Sequence, residues 1–307
     1  MTQQNVSVTL PLSQALARVK RMLFQPFDPG KWFVIGFCAW LASLGEGGFH
    51  GGYNGGGPVR RGGVANVQHG YEQARDFVLQ NLWWIVPVAV TIMVLGLAIW
   101  LVLIWLSSRG QFMFLHCVAL DKAEVRVPWH KYVREANSLF LFRLVLGVGT
   151  AFILLPIIAG IVFFVVGMVG GGAATVVGIL GAVGLGGLAM LSSIVCFVIG
   201  KFTRDFVVPI QFARGMNCVE GWRVLLGLLR GNIPAFVLYL LFQIVLAVAI
   251  FAMIMVIVLI TCCIAGCLLA IPYLGTVLLL PVLVFKRAYS LYYLAQFGRE
   301  YEVVVAV

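Results

Sequence analysis

The sequence predicts an all-α membrane protein, a polytopic helical bundle of about six transmembrane helices accompanied by amphipathic interfacial helices. Of 307 residues, 62% are hydrophobic and only 10% are charged, and the mean hydropathy is +1.04. These values lie far from those of a soluble domain. The apolar residues also form runs long enough to cross a bilayer as helices, in which backbone polar groups are satisfied internally. A soluble globular enzyme is therefore excluded, and residues 1–307 are expected to form a single integral membrane domain.

The apolar runs define the membrane elements in chain order. They extend from about Trp32 to Leu44, Leu82 to Leu106, Leu139 to Met168, Ala174 to Gly200 and Ile233 to Phe285. The last run has 53 residues. At a rise of about 1.5 Å per residue, it is far too long for one crossing of a core about 30 Å thick. We predict two helices there, with a turn near Thr261 to Pro272, where Gly266 and Pro272 interrupt the run.

The first run is short, and the distribution of basic residues decides how it is interpreted. It has 13 residues, which reach only about 20 Å as a helix, so a re-entrant segment is the alternative to a full crossing. Cytoplasmic loops carry an excess of Lys and Arg. With six crossings, 18 of the 21 basic residues fall on one side; without the first crossing the split is 14 to 7. We therefore predict six crossings with both termini cytoplasmic. No cleavable signal peptide is predicted, since Met1 to Thr9 is mostly polar.

Amphipathic stretches precede the membrane pairs. The first covers residues 12–25, where Ser13 is expected to cap a helix with Leu12, Leu16, Val19 and Leu23 on its apolar face. A second lies within Gln111 to Asn137, and a third runs from about Asn217 to Leu229. The chain can thus be interpreted as three diverged units, each an interfacial helix followed by a transmembrane hairpin. The alternative is that basic juxtamembrane helices are common in polytopic proteins and imply no duplication.

The polar segments between the runs are loops of two kinds. Residues 45–80 are predicted to form an outer loop, and ten of its first nineteen residues are Gly. Such a segment is expected to be mobile, with a short helix over Ala65 to Gln80. Its glycine spacing matches no phosphate-binding fingerprint. Residues 107–138 and 201–232 are predicted to be basic cytoplasmic loops.

Few residues could carry chemistry. Arg143 is the main ionisable residue near a helix interior, and snorkelling to the cytoplasmic headgroups is preferred over a substrate role. Cys262, Cys263 and Cys267 are interpreted as apolar fillers rather than metal ligands, and the four histidines are scattered. The seven cysteines indicate no disulfide framework. We therefore predict no catalytic residue, no cofactor, no metal site and no ion pump.

Glycines recur around the third and fourth crossings and predict close helix packing there. Small residues at such spacing let helix backbones approach in lipid. A narrow pore lined by Gly backbone is the alternative, but no charged ring accompanies it. The glycines concerned are Gly167, Gly170, Gly171, Gly172, Gly178, Gly181, Gly184, Gly186 and Gly187.

The cytoplasmic stretch from Lys201 to Asn232 carries the remaining polar signal. Asp205 can pair with Arg204 or Lys201, and Glu220 with Arg223. A structural interpretation, in which these residues tie an interfacial helix to the bundle, is preferred. The functional alternative is a docking surface or anionic-headgroup site, for which the candidate interface residues are Arg204, Asp205, Glu220 and Arg223.

Three segments here, and one near the N-terminus, support a resemblance. They are "RDFVVPI" (204–210), "ARGMNCVEGWRVL" (213–225), "LLRGNIPAF" (228–236) and "PFDPGKWFVIGFCAWLA" (26–42). Together they resemble bacterial six-helix integral membrane proteins of unknown function related to the glycerophosphoryl diester phosphodiesterase membrane domain. The resemblance implies a bacterial cytoplasmic (inner) membrane location. It does not imply phosphodiesterase activity, because that chemistry belongs to a separate soluble barrel.

These observations favour a non-enzymatic scaffold, regulator or accessory subunit with a basic cytoplasmic face. The net charge of +10, with most basic residues on one side, suits anionic lipid headgroups. A membrane or cytoplasmic protein partner is possible, and no nucleic acid is expected. The alternative function is a permease for a lipid or an apolar small molecule.

Overall fold

A computed structural model describes residues 7–45, 80–169, 175–261 and 264–304, and within these ranges the regular structure is helical. The helices are α1 (Leu10–Phe24), α2 (Pro29–Ser43), α3 (Leu82–Leu120), α4 (Arg126–Lys131), α5 (Val133–Val169), α6 (Thr175–Phe202), α7 (Val208–Arg214), α8 (Cys218–Gly231), α9 (Ile233–Ile260), α10 (Ile264–Ala270), α11 (Pro272–Leu278) and α12 (Leu280–Ala295). A single wide turn, Thr203–Val207, joins α6 to α7, and a 3-10 turn, Arg299–Tyr301, follows α12. The all-α prediction is confirmed.

The described chain has four helices long and apolar enough to cross a membrane, and a fifth candidate is a bent pair. The four are α3, α5, α6 continued into α7, and α9. The bent pair is α11 and α12, which meet at 63°, and Pro272 and Pro281 stand at the starts of the two helices. The 53-residue run therefore does form more than one helix, and α9 ends at Ile260 where the turn was predicted. Six crossings remain a prediction.

The sequence predicts six membrane crossings, whereas the structure has four or five candidate spans. The predicted crossing that is missing among these candidates is α2. It has 15 residues, about 22 Å of helix, and it lies antiparallel to the C-terminal part of α3. The Nζ of Lys31 is 2.9 Å from the Oδ1 of Asp121, and the hydroxyl of Ser107 donates to the carbonyl of Ala42. A Cβ at Gly110 would collide with the backbone nitrogen of Ala42, so the two backbones are in contact. Helix α2 thus lies beside the end of α3 nearest Asp121 and not beside residues 82–103.

The molecule divides into a buried base and apolar extensions. We define the base as α1, α2 and residues 104–143, 201–243 and 280–304, which together contain the main buried core. The extensions are residues 82–103, 144–169, 175–200 and 244–260. Their described side chains are mostly exposed, as for Phe152 (82% exposed) and Trp83 (81% exposed). Apolar side chains exposed in this way are expected on helices that lie in a bilayer.

The N-terminal helix differs from its prediction at its start and on its buried face. Helix α1 begins at Leu10, so Ser13 lies within it and its hydroxyl donates to the carbonyl of Leu10. The N-cap residue is Thr9, whose side chain makes no capping bond, and the Oγ of Ser7 accepts from the backbone nitrogens of Thr9 and Leu10 just before the helix. Leu16 is 56% exposed, so it does not lie on the buried face of the helix as predicted.

A buried arginine anchors α1 to the base. Arg18 is 5% exposed, and its guanidinium donates to the carbonyl oxygens of Val118 and Ala119 at the end of α3. These carbonyls have no partner within their own helix, because the last turn of any helix leaves its C=O groups unbonded. Helix α1 therefore belongs to the base and is more than an interfacial helix.

The predicted loop at 107–138 is mostly helical, because α3, α4 and the start of α5 cover all of it except residues 121–125 and 132. Helix α3 continues to Leu120, and only α4, six residues long, forms a separate short helix in this region. The guanidinium of Arg109 lies over the rings of Trp105 and Trp129, at 4.5 and 4.8 Å. These two rings, which meet edge to face with their centroids 6.0 Å apart, together stabilise this cation inside a continuing helix. The third amphipathic helix, α8, has bounds close to those predicted.

Glycine packing occurs between α5 and α6, but with fewer of the predicted glycines. A Cβ at Gly181 would lie 2.8 Å from the ring of Phe164, and one at Gly160 would lie 2.8 Å from Leu185. In contrast, Gly184, Gly186 and Gly187 have no atom within 4 Å of such a Cβ. The prediction is thus right for Gly181 and wrong for these three. The side chains at 166–175, Glu46, the outer loop at 46–79, and Cys262 and Cys263 lie outside the described residues.

Candidate functional site

The wide turn Thr203–Val207 is the centre of the polar structure in the base. Its helical geometry is of the π type, which inserts an extra residue and is frequent at functional sites. The hydroxyl of Thr203 donates to the carbonyl of Ile199 at 2.7 Å. The guanidinium of Arg287, which lies buried on α12, donates to the carbonyl of Arg204. The turn carries two successive charged residues, Arg204 and Asp205, and their side chains have different neighbours.

Asp205 lies inside the protein rather than on a docking surface. It is only 9% exposed, and its Oδ2 accepts from the Nζ of Lys201 at 2.8 Å and from the hydroxyl of Tyr239 at 3.0 Å. The side-chain amide of Gln243 in turn donates to that hydroxyl at 3.0 Å. The predicted pairing of Asp205 with Lys201 is confirmed. This chain of polar groups ties the wide turn to α9, as the structural interpretation expects.

Arg204, the preceding residue, lines a cleft. The cleft has a volume of about 480 Å³ and lies between α3, α5 and α6. Its lining residues are Gly45, Trp100, Ile104, Phe142, Arg143, Leu146, Gly147, Thr150, Ala151, Leu154, Cys196, Gly200, Thr203 and Arg204. Most of this wall is apolar, and none of the lining residues that the structure describes is acidic.

Arg143 shares the cleft with Arg204, and its placement differs from the snorkelling that the sequence favoured. Its Nη1 donates to the hydroxyl of Ser107 at 3.1 Å, and Ser107 is fully buried on α3. The side chain of Arg143 thus bridges from α5 towards α3 within the bundle. Two guanidinium-bearing residues on different helices therefore border one apolar cleft.

The other two predicted interface residues are on the surface of α8. Glu220 and Arg223 are both exposed. The Oε2 of Glu220 accepts from the backbone nitrogen of Asn217 at 3.2 Å, which is the geometry of a capping box at the start of a helix. The four candidate residues therefore separate into three surroundings: the cleft for Arg204, the interior for Asp205, and the α8 surface for Glu220 and Arg223.

An aromatic cluster, which no sequence pattern above predicts, surrounds the polar chain. Tyr239, Tyr289 and Tyr293 are fully buried, and their rings pack on one another and on Phe206. The hydroxyl of Tyr293 donates to the carbonyl of Ala235 at 2.7 Å. The spacing of Tyr239 and Gln243, four residues apart on one helix, was the available signal for a polar contact.

Metal chemistry finds no support in the described part of the chain, where no group of three His, Cys, Asp or Glu side chains could hold an ion. The Sγ atoms of Cys38 and Cys117, both fully buried, are 3.9 Å apart. Burial raises the pKa of the Cys218 thiol from its ordinary 9.0 to about 12, although Arg143 opposes the shift. A thiol with so high a pKa is protonated at neutral pH and is a poor ligand or nucleophile.

A family model described as a family of unknown function, DUF7544, matches residues 7–284. No curated protein and no solved structure matches. The matched range covers all of the helices from α1 to α11 and the greater part of the base. The resemblance to the phosphodiesterase membrane-domain group remains a prediction.

Proposed function

The chain belongs to the DUF7544 family of unknown function, and we propose that it is a non-enzymatic membrane scaffold, regulator or accessory subunit. In this proposal the basic base lies at the cytoplasmic surface of a bacterial inner membrane. There it contacts anionic lipid headgroups and offers a surface to a protein partner. The apolar extensions hold it in the bilayer as a multi-pass protein.

The placement of charge is the observation that carries this proposal. The structure describes 18 of the 21 basic residues and 8 of the 11 acidic ones, and all of them lie in the base except Asp28, which lies in the link between α1 and α2. The four extensions contain no charged residue. Basic side chains near a bilayer surface are attracted to anionic lipid by about 1 kcal/mol each. An excess of ten positive charges at one end of the molecule therefore favours contact with an anionic membrane surface.

Several of these basic residues lie on the surface of the base, where their side chains can contact lipid headgroups. Lys20, Lys122, Arg126, Arg223 and Arg230 are all exposed and come from four different parts of the base. Lys and Arg at such sites extend their charged ends towards water and headgroups while their stems cover apolar surface. The contact would thus be spread over the base instead of depending on one residue.

Lipid enrichment in nanodiscs tests the proposal. The full chain is reconstituted in equal amounts of phosphatidylglycerol and phosphatidylcholine and extracted in small discs, and the lipid composition is measured by mass spectrometry. We expect enrichment of phosphatidylglycerol that decreases when Lys20, Lys122, Arg126 and Arg230 are all changed to Gln. Equal amounts of both lipids around the wild-type protein, with no partner captured by crosslinking in cells, would contradict the proposal.

A permease for a lipid or apolar small molecule is the second candidate function. The cleft between α3, α5 and α6 favours it, since a lipid could enter there from the bilayer without crossing a charged barrier. A transbilayer assay with a fluorescent phospholipid and an impermeant quencher distinguishes the two functions. Protein-dependent quenching of the inner-leaflet lipid would favour the permease, and quenching at the rate of empty vesicles would favour the scaffold.

A further inference from the structure

Helix α8, Cys218–Gly231, has an exposed face that combines apolar side chains with positive charge. The residues of this face are spaced three or four positions apart and so share one side of the helix; they are Val219, Arg223, Leu226 and Arg230. Val219 is 63% exposed and Leu226 is 44% exposed, and both arginines are also exposed. We call these residues the α8 stripe. A helix side that faces only water is normally polar, so the α8 stripe favours contact with something other than water.

The opposite side of α8 is fixed to the base. The backbone nitrogen of Cys218 donates to the hydroxyl of Ser138 at 2.8 Å, and Leu225 is fully buried. A Cβ at Gly221 would lie 2.9 Å from the side chain of Val207, so the helix is in close contact with the wide turn. Because protein covers this side, rotation of α8 cannot bury the apolar residues of the α8 stripe against the base.

Helix α8 lies beside the part of α5 that leads directly into an apolar extension. The ring of Trp222 packs on that of Phe142, with centroids 6.0 Å apart, and the charge-free extension of α5 begins at residue 144. Ser138, which bonds the start of α8, precedes residue 144 by six residues, or about 9 Å of helix. The headgroup region on each side of the hydrocarbon core is about 5–8 Å thick. With the extension in the hydrocarbon, α8 therefore lies at the depth of the lipid headgroups.

Exposed apolar surface continues from α8 into the start of α9. Helix α9 begins at Ile233, directly after Asn232 ends α8. Ile233, Val237 and Leu241 are 57%, 50% and 56% exposed, and their spacing of four residues places them on one side of α9. This side leads without a charged residue into the extension that starts at residue 244. The α8 stripe is therefore followed in the chain by a surface with the character of a lipid-facing helix.

The charge of the α8 stripe is positive and is not neutralised by other described residues. In the part of the chain that the structure describes, Arg223 and Arg230 have no ion-pair or hydrogen-bond partner. The carboxylate of Glu220 lies off the stripe and accepts from the backbone nitrogen of Asn217. In interfacial helices, basic residues reach the headgroups while apolar side chains enter the boundary with the acyl chains. The α8 stripe has this composition, so its chemistry complements an anionic bilayer surface.

We propose that α8 lies in the interface of the bilayer and that the α8 stripe binds its anionic surface. The side chains of Val219 and Leu226 enter the boundary between headgroups and acyl chains, and the guanidinium groups of Arg223 and Arg230 bind lipid phosphates. This inference rests on the proposed function in that both require an anionic membrane surface. It adds one inserted helix to a contact that scattered basic side chains otherwise make.

Photocrosslinking of the full chain in vesicles tests this contact. The photoreactive residue p-benzoylphenylalanine replaces Leu226, the protein is reconstituted in equal amounts of phosphatidylglycerol and phosphatidylcholine, and the mass of the irradiated chain is measured. We expect phospholipid adducts in which phosphatidylglycerol predominates. The control position is Glu302, which is exposed and follows Tyr301, whose hydroxyl accepts from Arg214 at the end of α7. Arg214 lies 14 residues beyond Gly200, or about 21 Å of helix, so the control position should give no phospholipid adduct.

A double arginine variant tests the charge of the α8 stripe. Arg223→Gln and Arg230→Gln are combined with the photoreactive residue at Leu226, and the ratio of phosphatidylglycerol to phosphatidylcholine adducts is measured again. One basic residue at a membrane surface corresponds to about fivefold in affinity for anionic lipid, so this ratio should fall by about fivefold or more. Lys20→Gln with Lys122→Gln is the matched control, because both positions are exposed outside α8 and the net charge changes equally. The control pair should leave the adduct ratio unchanged.

Three results would overturn the inference. The first is equal amounts of phospholipid adduct at Leu226 and Glu302, and the second is an unchanged adduct ratio in the double arginine variant. The third is a protein adduct in place of lipid when the Leu226 variant is irradiated in cells, which would show that α8 docks a protein. If phosphatidylglycerol is enriched in nanodiscs but Leu226 forms no phospholipid adduct, this inference fails and the proposed function stands. If Leu226 forms adducts rich in phosphatidylglycerol without enrichment in nanodiscs, the contact at α8 stands and the proposed function fails.

Discussion

Tyr239→Phe should destabilise the protein more than removal of any other tyrosine hydroxyl in the same cluster. The hydroxyl of Tyr239 is fully buried, donates to the carboxylate of Asp205 and accepts from the amide of Gln243. A hydrogen bond to a charged group contributes about 1.5–3 kcal/mol, and an unsatisfied buried amide adds about 1 kcal/mol or more. The expected loss in the free energy of unfolding is therefore about 2–4 kcal/mol.

Tyr289→Phe is the matched control for this prediction. Tyr289 is also fully buried and stacks on Tyr239, but its hydroxyl donates to a neutral carbonyl, that of Val8, at 3.2 Å. Its removal should cost only about 0.5–1.5 kcal/mol. Equilibrium unfolding of the full chain in mixed detergent and dodecyl sulfate micelles, followed by tryptophan fluorescence, measures both variants. Equal losses for the two variants would refute the assignment of Tyr239 to a charge-bearing polar chain.

Three further substitutions test other parts of the base. Gly110→Ala should lower the free energy of unfolding by about 1–3 kcal/mol, because its Cβ would collide with the α2 backbone. The same unfolding assay measures this loss. Gly184→Ala is the control: its Cβ site is open, so the substitution should be neutral or stabilising. Arg18→Ala should lower the free energy of unfolding by about 3 kcal/mol, because two buried charge-assisted hydrogen bonds are lost. Lys20→Ala, at an exposed position, should lower it by less than about 0.5 kcal/mol. Similar losses for the two variants would contradict the anchoring role of Arg18. Since the pKa of Cys218 is raised to about 12, the folded protein should lose stability as the pH rises from about 9, where the unfolded thiol ionises, towards 12. Cys218→Ala should show a shallower decline in a pH series of unfolding curves, and an identical decline would contradict the burial of this thiol.

The membrane helices could be predicted from sequence because hydropathy reports them directly. The runs from Leu82, Leu139, Ala174 and Ile233 each became a long helix, and the amphipathic pattern located α8. The end of α3 could not be predicted in this way. Polar residues from Ser107 to Gln111 end the apolar run, but α2 and the ring of Trp129 cover them, so tertiary contacts let the helix continue.

The site could be predicted only in part, because its contacts join distant parts of the chain. The local pair of Lys201 and Asp205 follows from a spacing of four residues. The bond from Tyr239 to Asp205 spans 34 residues, and that from Arg143 to Ser107 spans 36. Hydropathy and spacing carry no information on such contacts. Arg143 was therefore expected to extend towards the headgroups, whereas Ser107 draws it between the helices.

The central claim is that the base, with its basic residues, lies on the cytoplasmic side while the far end of α3 lies on the other side. Single cysteines at Lys122, Arg230 and Gln80, all exposed positions, can be placed in a background whose exposed native cysteines are replaced by alanine. Their labelling by a membrane-impermeant maleimide is then compared in intact cells and in inside-out vesicles. We predict that Lys122→Cys and Arg230→Cys label only in inside-out vesicles, and that Gln80→Cys does not label from that side. Labelling of the base positions in intact cells, or of all three positions from the same side, would contradict the account.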